Sequence, residues 1–167
     1  MKSPVVYLVI GCMCLRVAAV QANSGQLPHH FQLRLLESQI HSGIAKPHLQ
    51  FMVISDRSHF VEIYTNLHAE TLPKPSLPEV DFATQRVLVA FMGQKSTAGY
   101  AIQFEEIIVQ RDDNIEVTVR RRIPPPGAIL AQIVTNPYVM AVVDKGAYTQ
   151  VKFVNEDGHV LDMLDVK

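Results

Sequence analysis

The stretch GQKSTAG at residues 93–99 gathers glycine, serine, threonine and lysine, residue types that wrap a phosphate when the loop opens a helix. Here the lysine comes two residues after Gly93, and the alternating segment GYAIQF follows, which predicts a strand rather than a helix N-terminus. The stretch therefore reads as the tip of a β-hairpin, Gly93 to Gly99, feeding Tyr100 into a strand. No G-x-S-x-G, H-E-x-x-H or G-x-x-x-x-G-K-[ST] pattern occurs. Six of the seven histidines (His29, His30, His41, His48, His59 and His68) fall in the first half of the chain. The adjacent pair His29–His30 would point to opposite faces of an extended chain, so solvated surface imidazoles are expected and no metal site. Glu105 and Glu106 are strand neighbours that cannot face one another. In Arg120-Arg121-Arg122, alternation sends the outer two one way and Arg121 the other, giving only a small basic patch. Ser42, Ser55, Ser58, Ser76 and Ser96 lie in turns or caps, where serine is expected anyway. These residues point away from an enzyme and call for no cofactor. A site assembled from distant carboxylates or histidines is the one catalytic arrangement that local spacing cannot address.

The bulk composition is that of one folded domain. The 167 residues are 48% apolar and 19% charged, with a formal charge of −1, which offers no basic stripe for nucleic acid. The first 22 residues differ in kind: Met1-Lys2, an apolar run interrupted by Arg16, and the small residues Val20 and Ala22 before Asn23. The run is too short for a membrane span and fits a signal peptide over 1–22, with a periplasmic or extracellular destination. Val9-Ile10-Gly11-Cys12 also resembles a bacterial lipobox, so the membrane enters only if Cys12 is lipidated. Cleavage before Asn23 would remove Cys12 and Cys14, the only cysteines, and with them any disulfide or thiol chemistry.

The elements that must position the remaining residues follow from periodicity. Residues 23–30 form a tether and 31–167 a single β-rich domain. FQLRLLESQI and HLQFMVIS read as strands. Ser55 or Asp56 caps a helix whose face is Phe60, Ile63, Tyr64 and Leu67. The proline-studded ETLPKPSLPEVDF is an extended connection, and RVLVAFMG is a strand apolar enough to be buried on both faces. GYAIQFEEIIVQR and NIEVTVRRRI make a hairpin around Asp112-Asp113-Asn114. After Pro124-Pro125-Pro126-Gly127, AILAQIVT resumes as a strand, YVMAVVDK is another, and AYTQVKFVNEDGHVLDML makes a final hairpin around Asn155–Gly158. The sum is mainly β with one helix (α+β): an antiparallel sheet or sandwich of eight or nine strands with the helix packed on it.

The order of these features resembles the PrcB family of protease-complex subunits. The cues are the H-S-G-I turn, the helix, and the L-P-E-V-D-F approach to the apolar strand. They continue with G-x-x-x-T-x-G-Y at 93–100, P-x-P-G at 124–127 and T-x-P-Y at 135–138. The resemblance runs from about Glu37 to Lys145. Relatives commonly carry tryptophan in the helix; this chain has none, and Tyr64 takes that packing role. The resemblance implies an exported, often lipid-anchored partner that supports a secreted serine protease, with no catalytic residues to carry over.

The expected function is thus an exported, non-enzymatic protein-binding module, an accessory or assembly subunit of a secreted protease complex. Its contact residues would be Thr97, Gly99, Tyr100, Pro125, Asn136, Pro137 and Tyr138, with tyrosine supplying apolar area and a polar tip. The alternative is a direct protease inhibitor that, like chagasin-type β-sandwiches, plugs a protease cleft with three loops at one end. The N-P-T-T-G and R-P-W strings of those inhibitors are absent.

Overall fold

The computed structural model describes residues 32–109 and 114–166. The expected signal peptide with Cys12, the expected tether, Phe31, residues 110–113 and Lys167 lie outside the described residues. Eight strands and one helix follow in the order β1 (Arg34–Gln39), β2 (Gln50–Ile54), α1 (Arg57–Leu67), β3 (Gln85–Phe91), β4 (Ala101–Val109), β5 (Asn114–Arg122), β6 (Tyr138–Asp144), β7 (Gln150–Val154) and β8 (Val160–Asp165). They form two four-stranded sheets, β1-β6-β3-β2 and β4-β5-β7-β8. The expected mainly-β fold with a single helix is borne out.

Two cores hold the layers together, and the strand sequences show why. In β3, Leu88 and Ala90 pack between the sheets, while Val87, Val89 and Phe91 pack on the opposite face with Phe60, Tyr64 and Leu67 of α1. β6 divides in the same way, Val139, Ala141 and Val143 against Tyr138, Met140 and Val142. Both strands are covered on two faces and so read as nearly continuous apolar runs. In β5 only Ile115, Val117 and Val119 are buried; the other face carries residues such as Glu116, whose Oε2 accepts from Lys152 Nζ of β7 at 2.9 Å.

Local chemistry sets the helix. Asp56, in an extended conformation, caps it by accepting from the His59 amide at 2.9 Å. An 11-residue helix is marginal alone, so burial of side chains such as Phe60 and Leu67, about 1.5–3 kcal/mol each, holds it on the sheet. The H-S-G-I turn meets its other end, where the Gly43 amide donates to the Leu67 carbonyl at 2.8 Å. A Cβ at residue 43 would lie 2.3 Å from the Asn66 carbonyl oxygen, so only glycine allows this approach.

Three expectations are corrected. First, residues 93–99 are not a hairpin tip. β3 is hydrogen-bonded to β2 on one side and β6 on the other, so no edge is left for β4. The chain instead crosses to the second sheet, where β4 pairs with β5. Second, AILAQIVT at 128–135 is not a strand. It makes one isolated bridge, Lys95 with Thr135, and runs over the 93–99 crossing without joining either sheet. Third, the sheets are not wholly antiparallel, because β7 pairs with β5 in parallel. The β4–β5 ladder is present, from Ala101 opposite Arg122 to Val109 opposite Ile115. The turn between β7 and β8 also falls where expected, with the Asn155 and Gly158 backbones bonded at 2.9 Å.

Candidate functional site

Three connections meet at one end of the sandwich: residues 40–49, 92–100 and 123–137. Their backbones are sewn together. Gln94 N donates to Lys46 O at 2.8 Å and Asn136 N to Ile40 O at 3.0 Å. Lys95 and Thr135 exchange two bonds of 2.8 and 2.9 Å, and Ala98 N donates to Ala131 O at 3.0 Å. The buried Thr135 adds its hydroxyl, which donates to the Thr97 carbonyl at 3.1 Å. The amides of Gln94, Lys95 and Ala98 are thereby committed to carbonyls, and a strand follows; the arrangement is a braced loop, not an anion cradle.

The seven residues singled out from the sequence are distributed through this end. Thr97 supplies the carbonyl just described. Gly99 sits at φ +94, where a Cβ would meet Pro124 Cγ at 2.9 Å, and its carbonyl accepts from Arg122 Nε at 3.1 Å. Tyr100 is half-buried against the inter-sheet core, with Lys95 Nζ 5.7 Å from its ring centre. Pro125 is exposed. Asn136 is half-buried with an unpartnered Oδ1, and the buried Pro137 accepts from Met92 N at 2.8 Å. Tyr138 is 1% exposed and faces the helix layer, its ring 6.3 Å from that of Phe91. The two tyrosines therefore serve opposite faces of the first sheet.

What sequence reasoning did not single out is the apolar character of the same loops. Ile123, Ile129, Ile133 and Val134 are exposed, Ile129 as fully as in an extended chain (103%). Three of the four, Ile129, Ile133 and Val134, lie in AILAQIVT, the segment expected to be a strand.

A second group was also missed. Glu37 Oε2 lies 3.0 Å from His68 Nε2, and its Oε1 accepts from the Tyr138 hydroxyl at 2.8 Å. The three line a cavity of about 250 Å³ with Gln39, His41, Thr71 and Pro75. His68 is buried, which corrects the expectation of a solvated imidazole: it ends α1 and its ring lies 4.5 Å from that of Tyr64. Glu37 reaches this group because β1 shifts register between Leu35 and Glu37. Burial first, then the bond to Glu37 and its negative charge, push the Tyr138 phenol far above the usual tyrosine range. Burial and the same carboxylate also raise Tyr64. No sequence spacing signals the group, since its members are 31 and 101 residues apart. Chemically it joins β1, β6 and the end of α1 through one carboxylate with both oxygens engaged.

Among the described residues no cluster of three or more His, Cys, Asp or Glu side chains is arranged to hold a metal ion. Of the arginines, Arg120 Nε lies 2.9 Å from Glu105 and 2.6 Å from Glu156. It is a surface ion-pair site of the kind worth little on its own.

No curated protein and no solved structure matches the chain. A family model does: residues 86–144 match the one described as PrcB C-terminal, which bears out the resemblance seen in the sequence over that stretch. The match runs from β3 through β6 and includes both the 92–100 and 123–137 connections; the turn, helix and L-P-E-V-D-F cues lie outside it.

Proposed function

From the match to the PrcB C-terminal family over residues 86–144, we propose that the chain is an exported accessory subunit of a protease complex, acting by binding a protein rather than by catalysis. The observation that carries this reading is the coincidence of the matched residues with the braced loop end. The stretch holds two of the three connections and all four exposed aliphatic residues at 123–134. Loops fixed by their own hydrogen bonds lose little freedom on binding, which favours association. Export rests on the leader at 1–22, and mass spectrometry of the mature N-terminus separates cleavage before Asn23 from lipidation of Cys12. For the function itself, the protein purified natively from its own source is expected to bring down a protein partner in stoichiometric amount. Repeated recovery of the bare chain would overturn the proposal.

Direct protease inhibition is the second reading, favoured by three loops meeting at one end of a two-sheet sandwich. It predicts equimolar blockade of a cysteine or serine protease. No inhibition across a broad panel removes it and leaves the accessory reading standing.

A further inference from the structure

We infer that the surface received by the braced loop end is acidic: a folded protein whose carboxylates stand opposite Lys46, Lys95 and Arg122. The inference rests on the protein-binding function proposed above and names the chemistry of the partner.

Charge is unevenly spread along the chain. Of its 16 acidic residues none falls within 40–49, 92–100 or 120–137, whereas those stretches hold Lys46, Lys95, Arg120, Arg121 and Arg122. Two of the arginines are balanced on their own sheet. Arg120 pairs with Glu105 and Glu156, and Arg121 shares a cavity with Glu156 and Asp157. Lys46, Lys95 and Arg122 differ, for among the described residues no ion pair ties any of them. Each is held instead by neutral groups of the loop end. Lys46 Nζ stands 5.8 Å from the centre of the Phe91 ring and Lys95 Nζ 5.7 Å from that of Tyr100, while Arg122 Nε donates to the Gly99 carbonyl at 3.1 Å. The bond from Gln94 N to Lys46 O sets the two lysines on adjoining segments. Cations placed on rings and backbone carbonyls make an ordered positive field beside the exposed Ile123, Ile129, Ile133 and Val134. A chain of formal charge −1 thus carries unneutralised positive charge at its most apolar exposed end. Interfaces match opposite potentials, so the complement of this end is acidic.

Charge also selects among occupants. A second copy docked by the same end would set these cations against their own images, which like-charge repulsion disfavours. An anionic bilayer also attracts cations, at about 1 kcal/mol for each one near its surface. Ile123, however, lines the cavity that holds the exposed Glu156 and Asp157. A flat sheet of anionic headgroups that covered Ile123 would press on both carboxylates. A protein surface can place carboxylates against the three unpaired cations and neutral or basic groups against Glu156 and Asp157.

The test uses the full mature protein, the partner that the wild type recovers, and poly-L-glutamate as a competitor of defined chemistry. Raising the ionic strength should weaken the wild-type complex, and poly-L-glutamate but not poly-L-lysine should displace the partner. The double reversal Lys46→Glu with Lys95→Glu should lower affinity about tenfold or more at low ionic strength. Lys46→Gln with Lys95→Gln should lower it less. Arg57→Glu, at the opposite end of α1 from the Gly43 turn, alters net charge as much as the glutamine pair and should bind nearly as the wild type does. All variants should keep the wild-type melting temperature. A wild-type complex indifferent to salt, or a double reversal that binds equally well, overturns this inference and leaves the proposed function standing. Recovery of no partner at all overturns both. Two further outcomes would overturn the assignment: binding to phosphatidylethanolamine–phosphatidylglycerol vesicles that the double reversal abolishes, or self-association in sedimentation that the same variant abolishes.

Discussion

The loop at 123–134 and the group formed by Glu37, His68 and Tyr138 are near opposites. The loop is exposed, aliphatic and without a titratable side chain. The group is largely buried, polar and hydrogen-bonded, with residues that in another setting would serve as acid, base or ligand. A search guided by reactive residue types would settle on the group and pass over the loop. The geometry argues the reverse assignment of roles. The carboxylate spends both oxygens holding β1, β6 and the end of α1 together, whereas the unreactive isoleucines face outward on a braced support. Chemical capability and functional exposure are separate properties, and here they fall in different places.

The sharpest way to break this contrast is to remove the centre of the polar group. Tyr138→Ala deletes a ring that is 1% exposed and packed near Phe91, and should cost about 3–5 kcal/mol of folding stability by denaturant titration, as for other large aromatic truncations. A near-neutral result would mean that Tyr138 serves something other than packing. Glu37→Leu leaves the donors on His68 and Tyr138 without their acceptor and should cost about 1–3 kcal/mol.

The phenol gives the same group a pH signature. Its folded pKa lies above the ordinary value of 10.0, so its neutral form is the one the fold favours. The stability it lends is complete below about pH 10 and is lost as the pH rises above the pKa of the unfolded phenol. Tyr138→Phe should flatten this alkaline loss; an unchanged slope would place the effect on the similarly raised Tyr64 and Tyr148.

The brace under the loop should respond more weakly. Gly99→Ala forces a side chain onto φ +94 and into Pro124 Cγ, with an expected loss of about 1 kcal/mol or more. It should also loosen residues 124–131 on the crossing beneath them, seen as faster exchange of the Ala98 amide, which donates to the Ala131 carbonyl. At the bottom of the scale, Ile129→Ser should change stability by no more than about 0.5 kcal/mol, as exposed substitutions do. A large effect there would show that the residue belongs to the fold and not to an interface.

Much of the architecture was legible because its causes are local. Asp56 before a Phe60–Ile63–Tyr64–Leu67 face specifies a helix with its cap, and the apolar run in β3 announces a strand covered on both sides. The β7–β8 turn follows from Asn155–Gly158 alone. The failures share a different cause. Whether Gly93–Gly99 closes a hairpin depends on whether the edges of β3 are free, and β2 and β6 occupy both. Whether AILAQIVT becomes a strand depends on a sheet edge that no part of its own sequence reports. Glu37 finds His68 and Tyr138 only through a register shift in β1. Contacts set by long-range pairing left no periodic trace to read.

Hydroxyl-radical footprinting of the native complex labels exposed aliphatic side chains where they stand and so reports which face the partner covers. Ile129, Ile133 and Val134 should lose their labelling when the partner binds, while Met163 and Val160 of β8 keep theirs. Protection confined to β8, with 123–134 labelled as in the free protein, would contradict an interface at the loop end.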